Sequence, residues 1–165
     1  MPELNIMKKA YTTTNSKQTQ KLGEMLAGEL RGGEVICLTG ELGSGKTTFA
    51  QGVLKRLGAK GPHTSPTFVV MKHYRITRNA KRISQGRKKK SLQVTSYELR
   101  DVYHIDVYRV GVKDILDLGW REIISHKNNV IIVEWAEKIK QIIPKRAVWV
   151  KFKHKGKNER ELSFK

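Results

Sequence analysis

Gly40-Glu41-Leu42-Gly43-Ser44-Gly45-Lys46-Thr47 sets a glycine, four residues, a second glycine, a lysine and a threonine in one run. That order suits the wrapping of a phosphate chain. Glycines let successive backbone N–H groups turn inward around phosphate oxygens, and a helix starting at the end of the run adds the positive end of its dipole. In such a loop Lys46 reaches the β and γ phosphates and the Thr47 hydroxyl ligates Mg²⁺, while Glu41, Leu42, Gly43, Ser44, Gly45 and Thr48 complete the nucleotide-binding stretch. Each charge-assisted hydrogen bond here contributes about 1.5 to 3 kcal/mol, so loss of Lys46 is expected to remove nucleotide binding, turnover or both.

A nucleotide-hydrolysing site also needs a second metal ligand and a group that positions the attacking water, and carboxylates suit both tasks. Two stand out. Glu134 ends the apolar run Val130-Ile131-Ile132-Val133, and Asp106 sits inside Tyr103-His104-Ile105-Asp106-Val107-Tyr108. An acid among such neighbours is costly unless a cation or hydrogen bonds compensate. The plainer readings are a strand-end surface carboxylate for Glu134 and a structural acid salt-bridged to Arg109 for Asp106. The five histidines form no pair at metal-ligand spacing, which argues against zinc. Cys37, the only cysteine, reads as a small core residue in a strand.

The elements that must hold these groups follow from periodicity and punctuation. Asn15 or Ser16 caps a helix with Leu22, Met25, Leu26 and Leu30 on one stripe, stopped by Arg31-Gly32-Gly33. Val35 to Leu38 is a short strand that feeds the glycine loop, and Thr47 to Leu57 is a helix ended by Gly58. Thr67 to Tyr74 and Tyr97 to Val110 read as strands that form an antiparallel pair. Lys113 to Ile124 is helical in part, broken near Gly119. Val130 to Val133 is the continuous apolar run of a strand buried on both faces in a parallel sheet. A helix from about Ala136 to Ile143 stops before Pro144, and Ala147 to Phe152 with Glu161 to Phe164 form a terminal hairpin across the turn at Gly156. The expected architecture is α/β, a single domain over 1–165 with a mixed central sheet flanked by helices.

Bulk properties set the limits. The 165 residues, 38% of them hydrophobic, suit one domain able to bury roughly 70% of its unfolded surface. No apolar run approaches the ~20 residues of a membrane span, and the start lacks a secretory signal, so a cytoplasmic location is expected. Net charge is +18, and the acid-free stretch from Leu42 to Tyr97 carries 13 of the 33 lysines and arginines. Eight of those are Arg75, Arg78, Lys81, Arg82, Arg87, Lys88, Lys89 and Lys90, in a segment with little apolar content. Such a segment favours polyanions: phosphates, RNA or an acidic protein surface.

Taken together, the glycine loop extended by Thr48-Phe49, then Ser65-Pro66-Thr67-Phe68, His104-Ile105-Asp106-Val107-Tyr108-Arg109, Leu118-Gly119 with Glu122, and Ile132-Val133-Glu134-Trp135 with Glu137 resemble the TsaE (YjeE) family from about Thr13 to Pro144. The resemblance implies a P-loop NTPase-like ATPase, with ATP and Mg²⁺ as cofactors. It implies a requirement for the protein, with TsaB, TsaC and TsaD, in making threonylcarbamoyladenosine on ANN-decoding tRNAs. Docking on TsaB and TsaD, with hydrolysis resetting them between turnovers, is the implied role. By the same resemblance Lys46 and Glu134 are the catalytic pair, Thr47, Asp106 and Glu134 serve the metal, and Trp135 lies near the nucleotide. Ser65 and Thr67 would sit in a loop that senses the γ phosphate. Two departures are the long basic insertion, 75–98, and Ala136 where the family has proline. Two readings of the insertion stand level: contact with tRNA through phosphates, without base stacking since no aromatic residue lies between Arg75 and Lys90, or a solvated lineage-specific loop. The competing readings are a small-molecule kinase with a basic lid loop and a nucleic-acid-binding module. The first lacks an evident acceptor pocket, and the second leaves the glycine loop idle. No Asn-Lys-x-Asp guanine-reading motif occurs.

Overall fold

The computed structural model describes residues 10–76 and 101–165. They form seven strands and four α-helices: β1 (Ala10–Thr13), α1 (Ser16–Glu29), β2 (Val35–Thr39), α2 (Lys46–Leu57), β3 (Met71–Arg75), β4 (Asp101–Asp106), α3 (Val112–Asp117), α4 (Trp120–Ser125), β5 (Val130–Glu134), β6 (Val148–His154) and β7 (Arg160–Phe164). A 3₁₀ helix spans Ala136–Ile142. The strands make one mixed sheet in the order β1-β7-β6-β2-β5-β4-β3. Its centre is parallel, β6-β2-β5-β4, and its two margins are antiparallel. This is the α/β architecture the sequence implies.

Burial explains the layering. β2 and β5 are apolar along nearly their whole length because helices cover both faces. On one face α1 and α2 bring Leu22, Leu26, Phe49, Val53 and Leu54 against Ile36, Ile132, Val150 and Phe152. On the other, Ile115, Trp120, Ile123 and Ile139 pack against Cys37, Ile105, Ile131 and Val133. Each fully buried residue of this size contributes about 1.5–3 kcal/mol relative to exposure. α1 and α2 cross closely at Gly23 and Gly52, where an added Cβ would stand 2.2 Å from the Phe49 carbonyl oxygen and 2.0 Å from that of Gln20. That approach seats α2, whose first residue is Lys46.

Most expected elements are found, with instructive departures. The Asn15 side chain caps α1 by accepting from Gln18 N, and Gly58 ends α2 in the left-handed conformation. Met25, assigned to the buried stripe, is 51% exposed, because the packed face of α1 runs through Leu22, Gly23, Leu26 and Ala27. The strand expected from Thr67 begins only at Met71. There the Pro66 carbonyl accepts from the N–H groups of Val69 and Val70, bending Thr67 to Val70 into a turn with Val70 at φ +64°. β4 stops at Asp106 rather than Val110, since Asp106 Oδ1 accepts from Tyr108 N and turns the chain. The helix after Glu134 is 3₁₀ with a kink at Ile139. β1 pairs with β7 and has no counterpart in the sequence reading. The insertion beyond Ile76, including Arg78, Lys81, Arg82, Arg87, Lys88, Lys89 and Lys90, lies outside the described residues, as does Tyr97. Among the described residues no helix is long and apolar enough to cross a membrane.

Candidate active site

The parallel register fixes where the chemistry gathers. β2, β4 and β5 run in the same direction, with Leu38 opposite Glu134 and Asp106 opposite Glu134, so the glycine loop and both carboxylates sit at one end of the sheet. The loop leaves β2 after Thr39 and returns into α2 at Lys46. Gly45, the residue that caps α2, has φ +102°, and an added Cβ would stand 3.2 Å from the Arg160 side chain. A residue with a side chain is doubly disfavoured there.

A cleft of about 270 Å³ opens over this end, lined by Leu42, Gly43, Gly45, Lys46, Thr47 and Thr48 from the loop and α2, by Ser65 and Thr67, and by Asp106, Glu134 and Trp135. Glu41 and Ser44 belong to the loop but not to the lining. The Glu41 carbonyl accepts from Ser44 N, and the buried Ser44 Oγ has no partner among the described residues. Leu42 is 74% exposed at the rim.

Lys46 is buried, and its ammonium donates to the carbonyls of Gly40 and Glu41, 2.8 Å each, while lying 3.7 Å from the centre of the Trp135 ring. Burial pushes its pKa below the ordinary lysine value, and the carboxylates of Glu134, Glu137 and Asp106 oppose that shift. Thr47 Oγ1 donates to Glu134 Oε2 at 2.7 Å. The other oxygen of Glu134 bonds His104 Nε2 at 2.8 Å, and both side chains are buried. Asp106 Oδ2 accepts from Ser65 Oγ at 2.9 Å and from Thr67 Oγ1.

These contacts decide between the open readings. Glu134 is 2% exposed and is no surface carboxylate. Asp106 is compensated by hydroxyls and a backbone N–H rather than by Arg109, whose guanidinium lies 4.7 Å over the Phe68 ring. Cys37 is buried in β2, and burial pushes its thiol up to about 12, so it is a core residue. Arg75, from the basic insertion, is exposed in β3 with Nε 3.9 Å from Asp101.

The donor set suits Mg²⁺. Thr47, Ser65, Thr67, Asp106 and Glu134 present hard oxygen ligands to one cleft. No group of three His, Cys, Asp or Glu able to hold a metal occurs among the described residues. Mg²⁺ is normally held by one or two carboxylates with substrate phosphates completing the shell, and this arrangement matches that pattern.

Sequence reasoning missed His104. Strand alternation puts it on the face of Asp106, two residues on, but only the β4–β5 pairing brings it to Glu134. Trp135, expected near the nucleotide, lines the cleft with a left-handed backbone at φ +61°; its ring lies 3.7 Å from the Lys46 ammonium and makes a tilted contact with Tyr108, 4.9 Å between rings.

Comparison with known proteins agrees with this geometry. A family model described as threonylcarbamoyl adenosine biosynthesis protein TsaE matches residues 13–85 and 91–162. The tRNA threonylcarbamoyladenosine biosynthesis protein TsaE of Bacillus subtilis is 32% identical over 154 residues, covering 93% of this chain and 83% of that protein. Its counterpart from Aquifex aeolicus is 36% identical over 128 residues, covering 76% and 75%. The crystal structure of Bacillus subtilis YdiB superposes with a TM-score of 0.69 at 28% identity, covering 97% of this chain and 86% of that one. With a glycine-loop cleft at the carboxyl end of the parallel strands, and a family model matched over residues 13–85 and 91–162, the chain belongs to the TsaE family.

Proposed function

We propose that this chain binds ATP with Mg²⁺ in the cleft and hydrolyses it as an accessory to the synthesis of threonylcarbamoyladenosine on tRNA. TsaB and TsaD are the partners on which it acts, TsaC belongs to the same sequence of reactions, and the cytosol is its place of work. The relatives named as tRNA threonylcarbamoyladenosine biosynthesis proteins supply the pathway. The observation that carries the hydrolytic reading is the direct bond from Thr47 of the phosphate loop to Glu134 at the end of β5. It joins the part of the cleft suited to phosphates to a buried carboxylate able to act on water.

In this reading the loop amides and Lys46 grip the triphosphate, and the Lys46 ammonium exchanges its two carbonyl partners for phosphate oxygens. Thr47, with Asp106 or Glu134, would hold Mg²⁺, which neutralises charge on the phosphates. Glu134 orients a water in line with the γ phosphate. Trp135 shields Lys46 from solvent, which strengthens its attraction for an anion. An arginine or an ordering contact supplied in trans by a partner can raise such rates by ~10³ or more. Slow hydrolysis alone and faster hydrolysis with TsaB and TsaD are therefore expected.

Calorimetry with ATP and Mg²⁺ is the first test. Binding by the wild-type chain and its loss in Lys46→Ala support the reading, and equal affinity overturns it. Phosphate release to water, strongly reduced in Glu134→Ala despite retained binding, then separates an ATPase from a kinase that would transfer phosphate to an acceptor.

A further inference from the structure

We infer that His104 is a positioning residue, whose ring locks the Glu134 carboxylate in the orientation that hydrolysis requires. The inference rests on the ATPase reading above and adds a residue to it. Glu134 has two carboxylate oxygens, and each has a single side-chain partner: Oε1 bonds His104 Nε2 at 2.8 Å, and Oε2 accepts from Thr47 Oγ1 at 2.7 Å. The terminal torsion of a glutamate is soft, so one bond alone would leave the group free to swing. Two bonds to opposite oxygens stop it. One comes from the central strand β4 and the other from the first turn of α2, so the carboxylate is clamped between sheet and helix.

The register supports this geometry. His104 stands opposite Ile132, and Asp106 stands opposite Glu134. His104 therefore reaches Glu134 diagonally across the β4–β5 pair, with its ring wholly buried. A carboxylate oxygen can only accept, so Nε2 carries the shared proton. His104 Nδ1 has no partner among the described residues, and a bare lone pair there avoids burying a second unpaired N–H. A pair kept only for packing would gain little here, since apolar residues of similar volume are often as stable as a buried ionisable pair. Orientation of Glu134 gives the contact a purpose.

The test uses the full chain, Mg²⁺ and ATP, with TsaB and TsaD present for turnover. His104→Leu is expected to lower turnover about 10- to 100-fold, the range for loss of an outer partner of an active-site ligand. Its affinity for Mg²⁺·ATP should stay within about threefold of wild type, a kcat effect without a binding effect. His104→Gln, whose amide N–H reaches the place of the imidazole Nε2–H, is expected to restore most of the loss. In the nucleotide-free protein, ¹⁵N-imidazole spectra should give His104 a slowly exchanging Nε2–H that shifts in Glu134→Gln. Three results would overturn the inference: a folded His104→Leu chain with wild-type turnover, His104→Gln no better than His104→Leu, or a His104→Leu effect that is undiminished in the Glu134→Gln background. If Glu134→Gln itself keeps full turnover, the role given to Glu134 fails and this inference falls with it. If Glu134→Gln is inactive while His104→Leu is active, only the role of His104 falls.

Discussion

Asp106 and Glu134 stand side by side on neighbouring parallel strands, facing the same cleft, yet they are held by different kinds of structure. The partners of Glu134 belong to regular elements: His104 in β4 and Thr47 in the first turn of α2. The side-chain partners of Asp106 are Ser65 and Thr67, in the connection between α2 and β3. That connection exposes Phe68 at 84% and Val69 at 61%, and it forces the β-branched Val70 into the left-handed region. Few buried contacts and a strained residue mark a segment that opens at low cost. A ligand that competes for Asp106 has only a loop to displace, whereas one that displaces Glu134 must disturb strand and helix. The two carboxylates therefore differ in how readily they can exchange partners, Asp106 more so than Glu134.

The comparison breaks most directly at Glu134. Glu134→Ala is expected to lower phosphate release by about 10²–10⁴, the usual worth of a positioned base, while calorimetric affinity for Mg²⁺·ATP survives. Amide exchange at 65–70 should remain as in wild type, because nothing in that loop bonds Glu134. A variant that keeps turnover, or one whose loop loosens, would show that the two carboxylates are not separately held.

Asp106→Ala is the converse and the second in size. We expect Mg²⁺ to strengthen nucleotide binding about tenfold less than in wild type, in line with loss of a ligand-shell group. Amide protection across 65–70 should fall at the same time, as Ser65 and Thr67 lose their shared acceptor. Protection in β5 should not change. Exchange measured by mass spectrometry on both variants reads the two halves of the comparison in one experiment.

How legible this was in the sequence follows the same division. The glycine loop, the strand before it, α2 and the buried run ending at Glu134 carry strong local signals, because glycine geometry and continuous apolar runs are written residue by residue. The loop that holds Asp106 was misread as strand from Thr67. Its β-branched residues have the right propensity, but hydrogen bonds to the Pro66 carbonyl override it. His104 was passed over for another reason. Its role depends on the pairing of β4 with β5, a long-range register that no single segment states. The close crossing of α1 and α2 at Gly23 and Gly52 was invisible for the same reason, since a helical glycine announces no partner.

A smaller effect sharpens the loop side. Thr67→Val keeps the shape of the side chain and removes one hydroxyl from Asp106. The expected cost is about 1 kcal/mol in the free energy of opening 65–70, the net worth of an ordinary hydrogen bond, read by amide exchange. Global melting should move little, because the lost bond stabilises the loop and not the core. An equal loss of protection in β5 would contradict the division.

The finest measure is Lys46, which feels both carboxylates. Burial lowers its pKa, and among the opposing carboxylates Glu134 pulls hardest, followed by Glu137 and then Asp106. Glu134→Gln is therefore expected to depress the Lys46 titration further than Asp106→Asn does, measured by NMR of the labelled lysine amine. The sign for stability follows from the same shift. The unfolded chain holds the Lys46 proton more tightly than the folded one, so between the lowered folded value and the ordinary 10.5 folding is favoured more as pH rises. Buried Cys37 works in the opposite direction above its ordinary 9.0, because its folded thiol keeps its proton up to about 12. Denaturant unfolding of Lys46→Met and Cys37→Ala from pH 8 to 10.5 should therefore deviate from wild type with opposite slopes. Equal depression of Lys46 by the two carboxylate substitutions would mean that Asp106 and Glu134 stand equally close to the phosphate loop, and the asymmetry argued from their partners would lose its electrostatic counterpart.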